Sequence, residues 1–290
     1  MPVTVIAGNT SVDLAKKLAK RLNADFVSSV LRIFPDGESK ITISKKPKKG
    51  KVVIVGSTYP PVDSNLIRVL SLVSKARKFS NRLILIIPYM GYARQDREFL
   101  PGEIVTLSVI ANLLKAAGVS KIVVVDIHSK IGLRHFKIPV KNVSAVPVLA
   151  NYFKKLVLKN PLVVSPDLGG ASRAKEFARI YDADLVILKK HRDRKTGKVQ
   201  IITPNLDYIK GRDLVLVDDM ISTGGSIVKA AEFLKKQKCG RVFVACTHAL
   251  LIDNAEKKMK KAGVAKIISA NTIPGCTSAV DVSGIIAKAI

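Results

Sequence analysis

LVLVDDMISTGGSIVKAA, residues 214–231, decides how the rest of the chain is read. Residues 214–217 are apolar without a break, the composition of a parallel strand buried on both faces, and the pattern predicts that the strand stops at Asp218 and Asp219, where a solvated loop begins. Ser222, Thr223, Gly224, Gly225 and Ser226 then lead into a helix predicted over residues 227–236. A hydroxyl- and glycine-rich turn at a helix N-terminus is a place to hold phosphate: backbone N–H groups point outward, glycine permits close approach, and the helix dipole favours an anion. Two carboxylates beside such a cradle make sense for a ligand that also carries hydroxyls, or for a metal ion that ligand and protein share. A lone TGG reads equally as a helix cap with acids in an exposed turn. The order strand, DD, TGGS, helix favours a phosphorylated sugar and leaves the reaction open.

Around that stretch the chain has 290 residues, enough for two domains with sizeable cores, and its 48% hydrophobic content is that of a globular protein. No apolar run approaches membrane-spanning length, and the start, MPVTVIAGNT, lacks the basic region of a signal peptide, so the expected location is cytoplasmic. Cys239, Cys246 and Cys276 form no CxxC pair, which argues against a disulfide frame or a zinc site. The net charge of +27 admits nucleic acid, a membrane surface or anionic small molecules. The lysines are spread along the chain and aromatic residues make up only 5%, so stacking partners for bases are scarce. The reading is a solvated lysine-rich surface, with no nucleic acid and no membrane as partner. Abundant Lys with few Gln and no Trp also suits a thermophile's composition.

In chain order, residues 3–7 read as a strand, and Ser11 as the cap of a helix whose Leu14, Leu18 and Leu22 share one face. VLRIFPDGESKITI, residues 30–43, places a Pro-Asp-Gly turn between two β-rich pieces, a hairpin by propensity alone. Strands are expected at 52–56 and 82–88, with a helix over 63–78 between them. The run VVIVGS, loop, helix, RLILIIPY is answered later by LVLVDD, loop, helix, RVFVACTH, which predicts an internal duplication and two similar α/β domains. Tyr89 to Arg97, YMGYARQDR, is a polar loop at a strand's carboxyl end, where open α/β sheets place ligands. Its arginines can fork onto phosphate, though surface ion pairing explains them as well. A helix over 103–118 and a strand over 121–128 follow, with Asp126 and His128 expected on one face; such a histidine serves as a structural hydrogen bonder as readily as a ligand. LVVSPD, residues 162–167, delivers another acid before a second glycine-rich turn into a helix. KKHRDRKTGK, residues 189–198, is an exposed charged hairpin loop or a mobile cationic loop beside an anion site. Strand, helix (253–262), strand (266–270) and a short helix from Ser283 complete the chain.

Taken together, FPDGE, GYARQDR, DIH with SPDLGG, the KHR of the charged loop and DDMISTGGS occur in the order in which they stand in the ribose-phosphate diphosphokinases, which the chain resembles over nearly its whole length. That family makes 5-phosphoribosyl diphosphate from ATP and ribose 5-phosphate. The resemblance implies an α/β chain of two similar phosphoribosyltransferase-type domains, each a mainly parallel sheet flanked by helices. Their expected bounds are 1–144, joined by a C-terminal helix over 276–290, and 145–275. It implies that Phe34, Asp36, Gly37 and Glu38 from a neighbouring subunit hold ATP with Arg94, Gln95, Asp96 and Arg97. It further implies that His128 and Asp167 hold Mg²⁺, and that Lys190 and Arg192 are the catalytic pair. Asp218 and Asp219 would take the ribose hydroxyls, and Ser222, Thr223, Gly224, Gly225 and Ser226 the 5-phosphate, with Arg192 reaching the same substrate. An ATP site shared between subunits requires a homo-oligomer, at least a dimer. Ser226 stands where Thr is common and Ser222 where some relatives have Asp; neither removes the chemistry.

Three rival readings are kept beside this one. A phosphoribosyltransferase would consume the diphosphate without ATP. A regulatory paralogue would bind nucleotide without chemistry, and a nucleic-acid binder would show steep salt dependence.

Overall fold

The computed structural model describes residues 2–192, 199–201 and 206–290, the side chains at 190–192 and 199–201 excepted. By internal packing the chain divides into two units, Met1–Ser144 with Thr272–Pro274 and Asp281–Ile290, and Ala145–Asn271 with Gly275–Val280. In the first unit β1 (Val3–Ala7) leads through α1 (Val12–Arg21) to β2 (Asp25–Val27). A hairpin of β3 (Ser29–Ile33) and β4 (Ser39–Ile43) follows. Then come β5 (Lys51–Val55), α2 (Val62–Arg77), β6 (Leu83–Ile87), α3 (Thr106–Ala116), β7 (Lys121–Val125) and β8 (Val140–Val143). The sheet runs β2-β1-β5-β6-β7-β8, and its strands are paired in parallel throughout. A parallel sheet is roofed by its own crossover helices, so its strands read as unbroken Val, Ile and Leu. All five residues of β6 are buried, and Ile54, Leu85 and Val124 pack with Leu72 of α2 and Leu114 of α3.

The second unit opens with α4 (Val146–Phe153), β9 (Leu162–Ser165), α5 (Ala171–Tyr181) and β10 (Asp184–Ile187). An antiparallel pair, β11 (Lys190–Arg192) and β12 (Val199–Ile201), comes next. It continues with β13 (Leu214–Ile221), α6 (Gly225–Lys236), β14 (Val242–Ala249), α7 (Ala255–Lys261), β15 (Val264–Ala270) and β16 (Ser278–Val280). Its sheet is β10-β9-β13-β14-β15-β16, again parallel. The chain then returns to the first unit, where α8 (Ser283–Ala287) packs on α1.

The expected duplication is therefore present strand for strand, including a hairpin inserted after the second strand of each copy. Register makes it residue-specific. Val52 of β5 pairs with Leu83, and Leu214 of β13 pairs with Val242, so Gly56 and Ser57 occupy the places of Asp218 and Asp219.

Several local expectations are corrected. The strand expected to stop before Asp218 runs on to Ile221, because β14 is eight residues long, buried throughout, and continues the ladder: Asp218 pairs with Cys246 and Met220 with His248. The strand expected over 121–128 ends at Val125; Asp126 has φ +36°, so strict alternation does not carry through to His128. Ser11 precedes α1 but makes no capping bond; its hydroxyl accepts the Ser57 N–H at 3.1 Å. The helix expected from residue 103 begins at Thr106, with Glu103 accepting the Phe99 N–H at 2.9 Å instead. Residues 276–290 are not one helix: Ser278–Val280 form β16 of the second unit, and the helix is confined to Ser283–Ala287. Among the described residues no helix is long and apolar enough to cross a membrane.

Candidate active site

The second unit concentrates charge at the carboxyl end of β13. Asp218 and Asp219 are mostly buried, their side chains 19% and 7% exposed. Arg173, in the first turn of α5, reaches both: Nη1 lies 3.8 Å from Asp218 Oδ1 and Nη2 3.4 Å from Asp219 Oδ2. Each acid also turns back on the strand, Asp218 Oδ1 accepting the Asp219 N–H at 2.8 Å and Asp219 Oδ1 the Met220 N–H at 3.0 Å. Burial, and next the negative charge of Asp219, push the Asp218 carboxyl up to about 7, with Arg173 pulling the other way. The same surroundings raise the thiol of Cys246, which is wholly buried on β14 beside the pair. An acid held this far up gains from a ligand that donates hydrogen bonds to it, and sugar hydroxyls do so.

Immediately beyond lies the turn into α6. Gly224 has φ +76°, a left-handed conformation that costs glycine nothing, and no side chain caps the helix. A Cβ placed on Gly225 would meet no atom within 4 Å, so the space in front of the first turn is open. Asp218, Asp219 and residues 222–226 are thus brought together on one strand and turn, as the sequence predicts. On the neighbouring loop Asp167 shapes the entry to α5: its Oδ1 accepts the Gly170 N–H at 3.2 Å, and its carbonyl accepts the Ser165 hydroxyl at 2.7 Å. Lys190 and Arg192 belong to β11, and their side chains lie outside the described residues. Arg173 was not singled out as a site residue from sequence. Its signal was its position, three residues after Gly170 in GGASR, on a helix that packs against β13.

In the first unit, Phe34, Asp36, Gly37 and Glu38 form the tip of the β3–β4 hairpin. The turn is closed by Phe34 N–H to the Glu38 carbonyl at 2.9 Å, and Asp36 Oδ1 accepts the Glu38 N–H at 3.1 Å. Arg32 lies over the Phe34 ring, 5.1 Å from its centroid. The loop over 89–97 leaves Arg94, Gln95 and Arg97 exposed, with Arg97 stacked 4.8 Å over Phe99. Asp96 differs from its neighbours: it is buried, and its carboxylate accepts the Ser129 hydroxyl. His128 is exposed in the loop after β7. Among the described residues no group of three or more His, Cys, Asp or Glu is placed to hold a metal ion.

Comparison with known proteins follows the same division. Residues 3–118 match the family described as the N-terminal domain of ribose phosphate pyrophosphokinase, and residues 147–280 match the phosphoribosyl transferase domain. The chain is 36% identical over 276 residues to the ribose-phosphate pyrophosphokinase of Pasteurella multocida, covering 94% of this chain and 87% of that protein. It is 34% identical over 296 residues to that of Methanobrevibacter smithii, covering 99% of each. The crystal structure of phosphoribosylpyrophosphate synthetase from Mycobacterium smegmatis superposes with a TM-score of 0.85 at 26% identity, over 100% of this chain and 97% of that one.

Proposed function

The chain belongs to the ribose-phosphate pyrophosphokinase family, and from that premise we propose that it transfers the diphosphoryl group of ATP to the anomeric hydroxyl of ribose 5-phosphate. The anomeric oxygen attacks the β-phosphorus, the bond from that phosphorus to the α–β bridging oxygen breaks, the hydroxyl proton is lost, and AMP leaves. The products are 5-phosphoribosyl 1-diphosphate and AMP. The observation that carries this reading is the acid pair in the carboxyl-terminal half of β13, shortly before the uncapped turn into α6. A pentose phosphate presents hydroxyls to the first and phosphate to the second.

In this reading Asp218 and Asp219 accept the ribose hydroxyls, and Ser222, Thr223, Gly224, Gly225 and Ser226 hold the 5-phosphate. Phe34, Asp36, Gly37 and Glu38 of a neighbouring copy, with Arg94, Gln95 and Arg97, hold ATP. Lys190 and Arg192 neutralise the oxygens of the transferred group, Arg192 also touching the ribose phosphate; catalysis is positioning and charge neutralisation, without a covalent enzyme intermediate. His128 and Asp167 are the residues that would hold Mg²⁺, and the ion would supply charge neutralisation to the phosphates. Asp167 offers the hard oxygen that such a cation prefers, whereas His128 is an unusual ligand for it, so water and phosphate oxygens would fill most of its shell.

Assembly of copies is supported by the first unit's surface. Phe99, Leu100, Ile104, Val109, Leu113 and Ile131 are all exposed there, apolar area of the kind that a second copy would cover. The cytoplasmic location belongs to the same proposal. Incubation with ribose 5-phosphate, ATP and Mg²⁺ should release AMP. Release of ADP would make the chain an ordinary kinase, and pyrophosphate release without ATP a phosphoribosyltransferase.

A further inference from the structure

Asp96 stands between Gln95 and Arg97, yet it faces the opposite way. Only 5% of the residue is exposed, and its Oδ2 accepts the hydroxyl of Ser129, the residue after His128. The Asp96 carbonyl accepts His135 Nε2–H at 2.6 Å from the same downstream loop. Between these two contacts lies Gly132, where an added Cβ would stand 3.2 Å from Asp96 Cβ and 2.5 Å from Leu107 Cδ2. A larger residue at 132 would have to displace Leu107 and crowd Asp96. On its other side the loop over 89–97 is held too. The Gly91 N–H donates to Thr58 Oγ1 at 2.7 Å, and the Leu107 N–H donates to the Gln95 carbonyl at 3.2 Å.

The exposed side chains of this loop are thus carried on a backbone stapled at Thr58, Leu107, Ser129 and His135. A buried carboxylate hydrogen-bonded to a hydroxyl is costly to leave half-made, so the contact holds the two loops in one arrangement. We infer that Asp96 is a positioning residue and not a nucleotide ligand: through Ser129 it fixes the loop carrying Arg94, Gln95 and Arg97 against the loop carrying His128. This rests on the reading above, in which those two loops meet ATP and its metal ion. Preorganisation of this kind shows in nucleotide affinity, because a loosened loop must be ordered again on binding.

The test is calorimetric titration of the full chain with ATP and Mg²⁺, and separately with ribose 5-phosphate, alongside thermal melts. Ser129→Ala, which removes a group that touches no substrate, should weaken ATP binding by about fivefold. It should leave ribose 5-phosphate affinity unchanged, and Ser129→Thr should restore ATP affinity. Asp96→Ala should weaken ATP binding similarly, and the double variant should be no weaker than either single, since both break one contact. Unchanged ATP affinity in Ser129→Ala, equal loss for both substrates, or additive effects in the double variant would overturn the inference. If Asp96→Ala does not fold, the Ser129→Ala and Ser129→Thr pair decides alone. Release of ADP in place of AMP by a wild-type chain that binds ATP defeats the proposed reaction and leaves this clamp standing; a wild-type chain that does not bind ATP overturns both.

Discussion

Each unit carries a sheet of the same strand order, and at the same place in each, after the third strand of the sheet, the chain turns into a helix. What fills that turn differs. In the first unit Ser57 is wholly buried, and its N–H donates to Thr10 Oγ1 at 2.9 Å and to Ser11 Oγ at 3.1 Å. Its own hydroxyl donates to the Thr272 carbonyl at 3.2 Å and accepts the Tyr89 N–H at 3.0 Å. The turn is satisfied by Ser57 and by the hydroxyls of Thr10 and Ser11 before α1. In the second unit the matching places hold Asp218 and Asp219, bridged by Arg173, and the following turn opens onto space at Gly225. One scaffold thus gives a closed polar staple in one copy and an acceptor pair beside an open anion cradle in the other. The difference teaches that a handful of side chains, and not the topology, decides whether this turn is closed on itself or left open.

The paired hairpins extend the contrast. The first ends in FPDGE and the second carries KHRDRK, so the first suits recognition and the second charge neutralisation. Lys190→Ala should therefore lower turnover by about a hundredfold or more while ATP affinity changes little, measured as kcat against a binding isotherm. Turnover near wild type would erase the distinction between the hairpins. Exchanging the turns is the next largest test. Asp218→Gly with Asp219→Ser gives the second unit the first unit's residues and should weaken ribose 5-phosphate binding by about thirtyfold, the scale of two lost hydrogen bonds of about 1 kcal/mol net each. ATP affinity should stand. The reverse exchange, Gly56→Asp with Ser57→Asp, should fail at folding, since a Cβ on Gly56 would lie 2.8 Å from Val69 Cγ2 and both new acids would stand at buried positions.

The smallest effect is on stability. Asp218 titrates at about 7 in the folded chain, above the ordinary carboxylate range. Its contribution to stability is thus fully present below about pH 4 and is lost as pH rises toward about 7, because the folded state binds the proton more tightly than the unfolded. Asp218→Asn should flatten that part of the profile of melting temperature against pH, and an unaltered slope would mean that the acid pair is not strained.

Much of this was legible from residues. Unbroken Val, Ile and Leu runs located the inner sheet strands but not the short edge strands β2, β8 and β16, and glycines with hydroxyls located the turn of α6. The extent of β13 was not legible, since its last four residues are held in the sheet by β14, a partner more than twenty positions away. Arg173 beside the acid pair and the burial of Asp96 went unforeseen for a related reason. Whether a charged side chain faces outward or toward a buried partner depends on which loop packs beside it, and local spacing carries no trace of that. Ser11 looked like a helix cap, and it accepts the N–H of Ser57 in the loop after β5 instead.

Residues 281–290 return to the first unit after the whole second unit has been laid down. There Arg21 Nε donates to Ser283 Oγ at 2.6 Å, and Lys121 Nζ to the Ala289 carbonyl at 2.6 Å. On the ribosome the amino-terminal unit consequently emerges first but is finished last, its α1 face waiting for a helix that has not yet been synthesised, whereas almost all of the second unit is contiguous and can close at once.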